Sequence, residues 1–406
     1  MTCNCSVRIT EVKTRCKTNK TEMSKTIKKE KWPRFTLADW IQVIKVIASN
    51  QLFADRRVGE FENEYAKYIG SKYAVGVGNA TQGLHLALCA LEIGIGDEVI
   101  VTPYTWISSA SCILMQNAVP VFADIEEETL GIDPKSIEER ITDKTKAVIC
   151  VHLFGIPCRI EEIKKICDHH NIALIEDNSH AHGAKVNGIN TGTIGDISVA
   201  SLHQRKSLPV GDGGIICTNS DRLREKVYRL RSFGGNELSY NYRMNEFAGA
   251  IGTSRLKRLD RENNIRAKRA VLIKEILQDN SCYKLIEPRM GDKSVYYAVL
   301  IKIKKQMSPR GKVKLDQIIE RNKEIIRYTW NPLHKHPTFS KTREWPRGNV
   351  WKLAECKYSD NKYDKESKKL SVTEDLIPHK ILEFYVHPTI RKTKIMKVAR
   401  EINSLS

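Results

Sequence analysis

Three short stretches of this chain hold residue types that can do chemistry. The first is Glu176-Asp177-Asn178-Ser179-His180-Ala181-His182-Gly183-Ala184, directly after the apolar residues 173–175. An acid at a strand end is placed to meet a cationic group in the crevice there, or it caps the next turn. The second is Ser201-Leu202-His203-Gln204-Arg205-Lys206, followed by Gly211-Asp212-Gly213-Gly214. A lysine in such a connection, beside Arg205, is a candidate amine nucleophile with a lowered pKa. The alternative is a solvated lysine in a basic chain, with the glycines making a hairpin turn. The third is Gly78-Asn79-Ala80-Thr81-Gln82-Gly83, between a strand-like and a helical run. Free N–H groups and the dipole at a helix start suit a phosphate. The stretch is neither a P-loop nor a G-x-G-x-x-G fingerprint, and an ordinary βα turn reads the same way.

The elements that must position these residues alternate. Strands are expected at 73–77, 98–101, 119–122, 147–152, 173–175 and 197–201. Helices are expected at 37–48, 59–69, 83–91, 108–116 and 160–170. This alternation predicts an α/β fold with a mostly parallel sheet flanked by helices, and ligands at the C-terminal strand ends. A long helix is expected from Asn245 to about Leu277, with Asn245 as its cap and Glu246 in its first turn. Residues 295–303 read as a strand of a smaller C-terminal α+β domain. The chain divides into a basic disordered arm (1–35), a large domain (36–260) and a small one (261–406). Residues 1 to about 31 are polar and basic and bury too little to fold alone, so a start at Met23 is expected to suffice. Residues 357–369 read as an exposed loop.

Composition limits the function. The 406 residues are 41% hydrophobic and 28% charged, which allows a large core. No run of eighteen apolar residues predicts a membrane span, and no secretory leader is evident, so a cytoplasmic protein is expected. The net charge of +19 is spread along the chain without a nucleic-acid motif, and fits an anionic substrate as well. Among the eleven cysteines, Cys89, Cys112, Cys150 and Cys217 sit in apolar runs and read as buried thiols. The Cys3-x-Cys5 pair lacks a second pair or a nearby His, so no metal site is expected.

Taken in order, these segments resemble the DegT/DnrJ/StrS-type sugar aminotransferases, which use pyridoxal 5′-phosphate and share the aspartate-aminotransferase fold (fold type I). Besides the stretches above, the matching pieces are Gly59-Glu60-Phe61-Glu62, Pro103-Tyr104-Thr105-Trp106, Pro120-Val121-Phe122-Ala123-Asp124, Val151-His152-Leu153-Phe154-Gly155, Asn241-Tyr242-Arg243-Met244-Asn245-Glu246 and His387-Pro388-Thr389. The resemblance implies a seven-stranded type of sheet and a set of roles. Lys206 matches the Schiff-base lysine and Ser201 a phosphate ligand. Asp177 matches the acid facing the pyridine nitrogen, and Trp106 the aromatic stacked on the ring. Thr81 and the N–H of Ala80 match the phosphate cradle, although the family usually has Gly where Ala80 stands. His180 falls beside the cofactor's phenolic oxygen. Asn241 matches a phosphate ligand from the neighbouring subunit, which implies a homodimer with shared active sites.

The implied reaction moves an amino group from glutamate or glutamine to a keto-sugar or keto-cyclitol, with Lys206 as covalent anchor and general base. Related dehydratases carry His at the lysine position, and Lys206 argues against that branch. Two other readings stay open: an enzyme like 3-amino-5-hydroxybenzoate synthase, and a non-catalytic regulatory protein on the same fold. The acceptor and its ring position are not legible.

Overall fold

The computed structural model describes residues 32–53, 56–233, 238–304, 308–340 and 370–405. Helices α1 (Leu37–Ser49) and α2 (Arg56–Ile69) precede β1 (Tyr73–Val77), α3 (Ala80–Ala90), β2 (Glu98–Val101), α4 (Ser108–Met115), β3 (Val119–Phe122), α5 (Pro134–Glu138) and β4 (Thr145–Val151). Then come α6 (Ile160–His170), β5 (Ala173–Asp177), the short β6 (Lys185–Val186) and β7 (Ile189–Asn190), β8 (Ile197–Ser201), β9 (Gly214–Thr218) and α7 (Asp221–Arg231). The long α8 (Glu246–Leu277) leads to β10 (Tyr283–Ile286), β11 (Ala298–Ile303), α9 (Pro309–Arg321), β12 (Ile326–Tyr328), α10 (Pro337–Ser340), α11 (Ser371–Leu376), β13 (Ile381–Tyr385) and α12 (Lys392–Asn403).

Short runs of Val, Ile and Ala, buried on both faces, build a seven-stranded sheet in the order β1-β9-β8-β5-β4-β2-β3. The pairs β5–β8, β4–β5, β2–β4 and β2–β3 are parallel. Strand β9 runs antiparallel to both β1 and β8. The pleat splits its side chains between two cores. Ile216 joins the cluster with Val77, Leu84 and Val199, while Ile215 and Cys217 join Phe61, Ala200 and Leu259. Helices α3 and α4 supply the first cluster, and α2 and α8 the second. Sequence periodicity alone missed β9, because its opening glycines read as a turn. Gly214 is in fact the first residue of the strand.

The second sheet is antiparallel, in the order β10-β11-β13-β12. It joins the first through Tyr104, Val151, Phe154, Ala298, Leu300 and Ile381. The strand expected from residue 295 starts at Ala298, and the expected cap holds: Asn245 Oδ1 accepts from the Ala248 N–H at 2.9 Å. Helix α8 runs unbroken past residue 260.

The disordered arm was expected to reach Phe35, and residues 32–35 depart from that. The Trp32 ring lies 5.2 Å from the Arg255 guanidinium and 5.1 Å from that of Arg266, both buried, and its indole N–H donates to the Lys206 carbonyl at 3.1 Å. A large aromatic over desolvated cations offsets the cost of ordering this segment. Residues 1–31 and the loop expected at 357–369 lie outside the described residues. No helix among the described residues is long and apolar enough to cross a membrane.

Candidate active site

Among the five parallel strands, β5 and β8 bring the candidate residues to their C-terminal ends. Asp177 is the last residue of β5 and Ser201 the last of β8. Lys206 follows five residues later, in a turn held by its own N–H donating to the His203 carbonyl at 2.8 Å. Burial of its ammonium lowers the pKa to about 8, with the Asp177 carboxylate pulling the other way. The amine lies 5.6 Å from the Tyr297 ring centroid. Ser207, the next residue, has a buried hydroxyl without a partner among the described residues.

Asp177 is buried and lightly bonded. Its Oδ2 accepts from Ser109 Oγ at 2.7 Å, and its Oδ1 from the Ser179 N–H at 3.1 Å. Glu176, one residue earlier, points to the other face of β5 and is saturated. It accepts from His152 Nε2 at 2.9 Å and from the N–H groups of Gly192, Ile194 and Gly195 at 2.6–2.8 Å. Burial opposes its charge, but these partners hold its pKa low.

His180 and His182 face the same region and are neutral for related reasons. Burial, then the nearby Lys206 charge, lowers the pKa of His180 well below the usual value. Its Nδ1 accepts from the Phe154 N–H at 3.2 Å, so the ring proton sits on Nε2. The ring stacks on Tyr297 with centroids 4.2 Å apart. Burial lowers the pKa of His182 to about 4. Its Nε2 donates to the Ser201 carbonyl at 2.9 Å, which leaves Nδ1 to accept from Tyr65 Oη at 2.9 Å.

The turn before α3 has the geometry of an anion cradle. Asn79 caps the helix, and Thr81 Oγ1 lies 2.8 Å from Ser108 Oγ at the start of α4, so two helix N-termini meet. The first residue of β9 abuts this turn. A Cβ at Gly214 would lie 2.6 Å from the Asn79 carbonyl carbon and 2.8 Å from the Ala80 nitrogen. Trp106 follows β2 with 60% of its surface exposed, its ring edge-on to Trp330. Asn241 is also exposed and accepts from Arg243 Nε at 3.0 Å. Its segment lies beside the end of β1, where the Gly78 N–H donates to the Tyr242 carbonyl at 2.8 Å. Among the described residues, no contact joins Asn241 to Lys206 or Asp177.

Sequence reasoning missed the second sheet's contribution. Tyr297 precedes β11 and stands between His180, Lys206 and Tyr385. Behind it, Arg327 Nε donates to Glu383 at 2.7 Å, Tyr385 Oη donates to Glu383 at 2.6 Å, and Thr329 Oγ1 donates to Glu383 at 2.9 Å. These residues carry no local motif. Only the pairing of β13 with β11 and β12 brings them together.

Fold and site together define a class. A desolvated amine of lowered pKa, a buried acid on the adjacent strand, a helix-end anion cradle and an open aromatic face fit pyridoxal phosphate: covalent anchor, ring-nitrogen partner, phosphate seat and ring cover. This is the arrangement of a pyridoxal-phosphate-dependent aminotransferase. The chain belongs to the DegT/DnrJ/EryC1/StrS aminotransferase family, whose model matches residues 38–359. It is 40% identical over 233 residues to the GDP-perosamine synthase of Vibrio cholerae, a match covering 55% of this chain and 62% of that enzyme. It is 34% identical over 296 residues to the GDP-perosamine synthase of Escherichia coli O157:H7, covering 70% and 79%. The solved aminotransferase from Psychrobacter cryohalolentis superposes with a TM-score of 0.82 at 29% identity, covering 92% of this chain and 98% of that one.

Proposed function

We propose that this chain moves an amino group from glutamate or glutamine to a keto-sugar or keto-cyclitol, with a nucleotide-linked keto-sugar as the favoured acceptor. The observation that carries the reading is Lys206, half-buried five residues past the end of β8, its desolvated amine brought to a pKa of about 8 and within electrostatic reach of Asp177. Two relatives named for GDP-perosamine synthesis favour the nucleotide-linked acceptor. Residues 36–260 carry the cofactor site in this reading, and 261–406 cover it.

When bound, pyridoxal phosphate supplies an electron sink for negative charge at the substrate carbon. Lys206 would anchor it and, once displaced by the incoming amine, serve as the base that takes and returns the α-proton. A pKa near 8 suits both tasks, because about a tenth of the amine is then neutral at pH 7, against well under a thousandth at the ordinary lysine value. Asp177 would hold a proton on the ring nitrogen. His180, neutral with its proton on Nε2, would donate to the phenolic oxygen without adding charge beside Lys206. Ser201, Thr81 and the Ala80 N–H would seat the phosphate, and Trp106 would cover the ring.

We read the assembly as a homodimer with shared sites. Helix α1 turns Leu37, Trp40, Ile44 and Ile47 outward, each more than half exposed, while Asp39 and Val46 are its buried residues. An outward apolar stripe of this size is covered in an assembly. Exposed Asn241 would reach the partner's phosphate seat. The test is a Lys206→Ala protein with unchanged circular dichroism, mixed with Asn241→Ala subunits. The single variant is expected to lose the borohydride-sensitive absorbance band and turnover, and the mixture to regain part of both. Near-normal amination of a keto-sugar panel by folded Lys206→Ala would refute the assignment. A wild-type chain with no band and salt-sensitive DNA binding would favour the regulatory alternative.

A further inference from the structure

A second cluster of reactive side chains lies behind the wall that holds Asp177, and the reading above leaves it unused. Strand β4 presents Cys150, and His152 follows it on the same side, two residues on. The chain then reverses through two left-handed residues, Phe154 at φ 54° and Gly155 at φ 87°. That reversal returns Cys158 to His152. The Cys158 sulfur stops 3.6 Å from His152 Nδ1, and the two sulfurs and this nitrogen all lie within 4.8 Å of one another. All three residues are fully buried. Gly131 closes the far side: a Cβ there would lie 2.8 Å from the Cys158 Cβ.

We propose that Cys150, His152 and Cys158 bind a thiophilic divalent cation of the zinc class. The distances match such an ion. Bonds of about 2.3 Å to sulfur and about 2.0–2.1 Å to nitrogen, at tetrahedral angles, place the two ligand atoms about 3.6 Å apart. The imidazole is already oriented for it. His152 Nε2 donates to Glu176 at 2.9 Å, and the Cys158 N–H directed at Nδ1 marks that nitrogen as the acceptor side of the ring, turned toward the cluster. A carboxylate behind a histidine in this way fixes the tautomer and raises the basicity of the ligating nitrogen. That nitrogen now meets the long Cys158 N–H contact at 3.3 Å and the Cys158 sulfur at 3.6 Å, contacts that binding exchanges for metal bonds. The charges balance as well. Two thiols release their protons to solvent, two S–metal bonds and one N–metal bond form, and two thiolates neutralise the divalent ion. No oxidant is needed. One position on the ion stays open, and the site ties β4 and its following turn to β5 through Glu176.

The test uses the full chain, produced in zinc-supplemented and separately in cobalt-supplemented medium, beside a Cys150→Ser/Cys158→Ser variant. Both proteins keep Cys3, Cys5 and the other thiols, so the difference between them reports this site. The expected result is one more tightly held zinc ion per chain in the wild type, and a thiolate-to-cobalt charge-transfer band that the variant lacks. A hot chelator treatment should lower the wild-type melting temperature and leave the variant's unchanged. Equal metal content and equal bands in the two proteins would overturn the proposal, as would a wild type with neither ion. If the double variant fails to fold, Cys158→Ala alone, in the turn and outside β4, gives the same comparison. None of these readouts depends on transamination.

Discussion

The two faces of β5 carry adjacent acids with opposite fates. Glu176 meets an imidazole and three backbone N–H groups, while Asp177 meets one hydroxyl and one N–H. A buried carboxylate accepts about four hydrogen bonds when fully satisfied. Glu176 is therefore closed, and its charge is consumed in holding the 192–195 turn and His152 in place. Asp177 is left with acceptor capacity at a strand end, facing the lysine. The comparison shows that bonding capacity left over, more than burial or charge, separates an acid available to a ligand from one that serves the fold.

The largest expected effect comes from Asp177→Asn. Turnover should fall by about 10²–10³-fold, the usual scale for one preorganised electrostatic partner, with melting temperature little changed. Single-turnover rate and thermal melt on one sample decide this. If stability falls and the rate per folded molecule does not, the two acids are alike and the comparison collapses. Glu176→Gln should do the reverse. Breaking a buried pair costs about 3 kcal/mol in denaturant unfolding, and the rate per folded molecule should hold.

Lys206→Met tests the electrostatics of the open face. The folded state lowers this lysine from 10.5 to about 8, so between those values the unfolded chain binds more protons. Stability of the cofactor-free protein must then rise with pH across that window, by an amount on the order of 3 kcal/mol from this group. Lys206→Met should remove the rise and leave the variant more stable than wild type at pH 7. Urea unfolding at pH 7 and pH 10 measures both, and a pH dependence unchanged in the variant would refute the low pKa. The smallest effect is expected from Ser109→Ala. It removes one of the two donors to Asp177 and should cost about 1–3 kcal/mol, with a smaller loss of rate than Asp177→Asn. An equal loss of rate would mean that Ser109 touches the substrate itself.

Much of this was legible in the chain. Six strands of the large sheet and most of the helices between them follow from apolar runs and their periods, and the long α8 from its Asn245 cap; the short α5 between β3 and β4 does not. Lys206, Asp177, Ser201 and Thr81 were picked out because each lies at or a few residues past a strand end and falls on a motif of the family. Tyr297, Arg327, Glu383 and Tyr385 did not, since their meeting depends on the register of three antiparallel strands. Trp32 was read as part of a polar tail because its partners, Arg255 and Arg266, lie more than two hundred residues away. Cys150 was recognised as a buried thiol, but Cys158 and His152 meet it only after a left-handed reversal at Phe154 that a non-glycine residue does not announce.

The sequence by itself determined the alternation of elements, the strand-end location of the chemistry and the family, because these depend on local period and on the order of short motifs. Residue type and position alone left Glu176 and Asp177 open, and only the match to the family's motif selected Asp177. The tertiary structure separated them, since a strand's pleat sends neighbours to opposite faces and only packing decides what waits there. On one side that is a closed turn of N–H donors, and on the other a half-buried lysine. The lowered pKa of that lysine, the neutral tautomer of His180 and the grouping of Cys150, His152 and Cys158 arise the same way. They are set by desolvation and by contacts between distant segments, and no local run of residues encodes them.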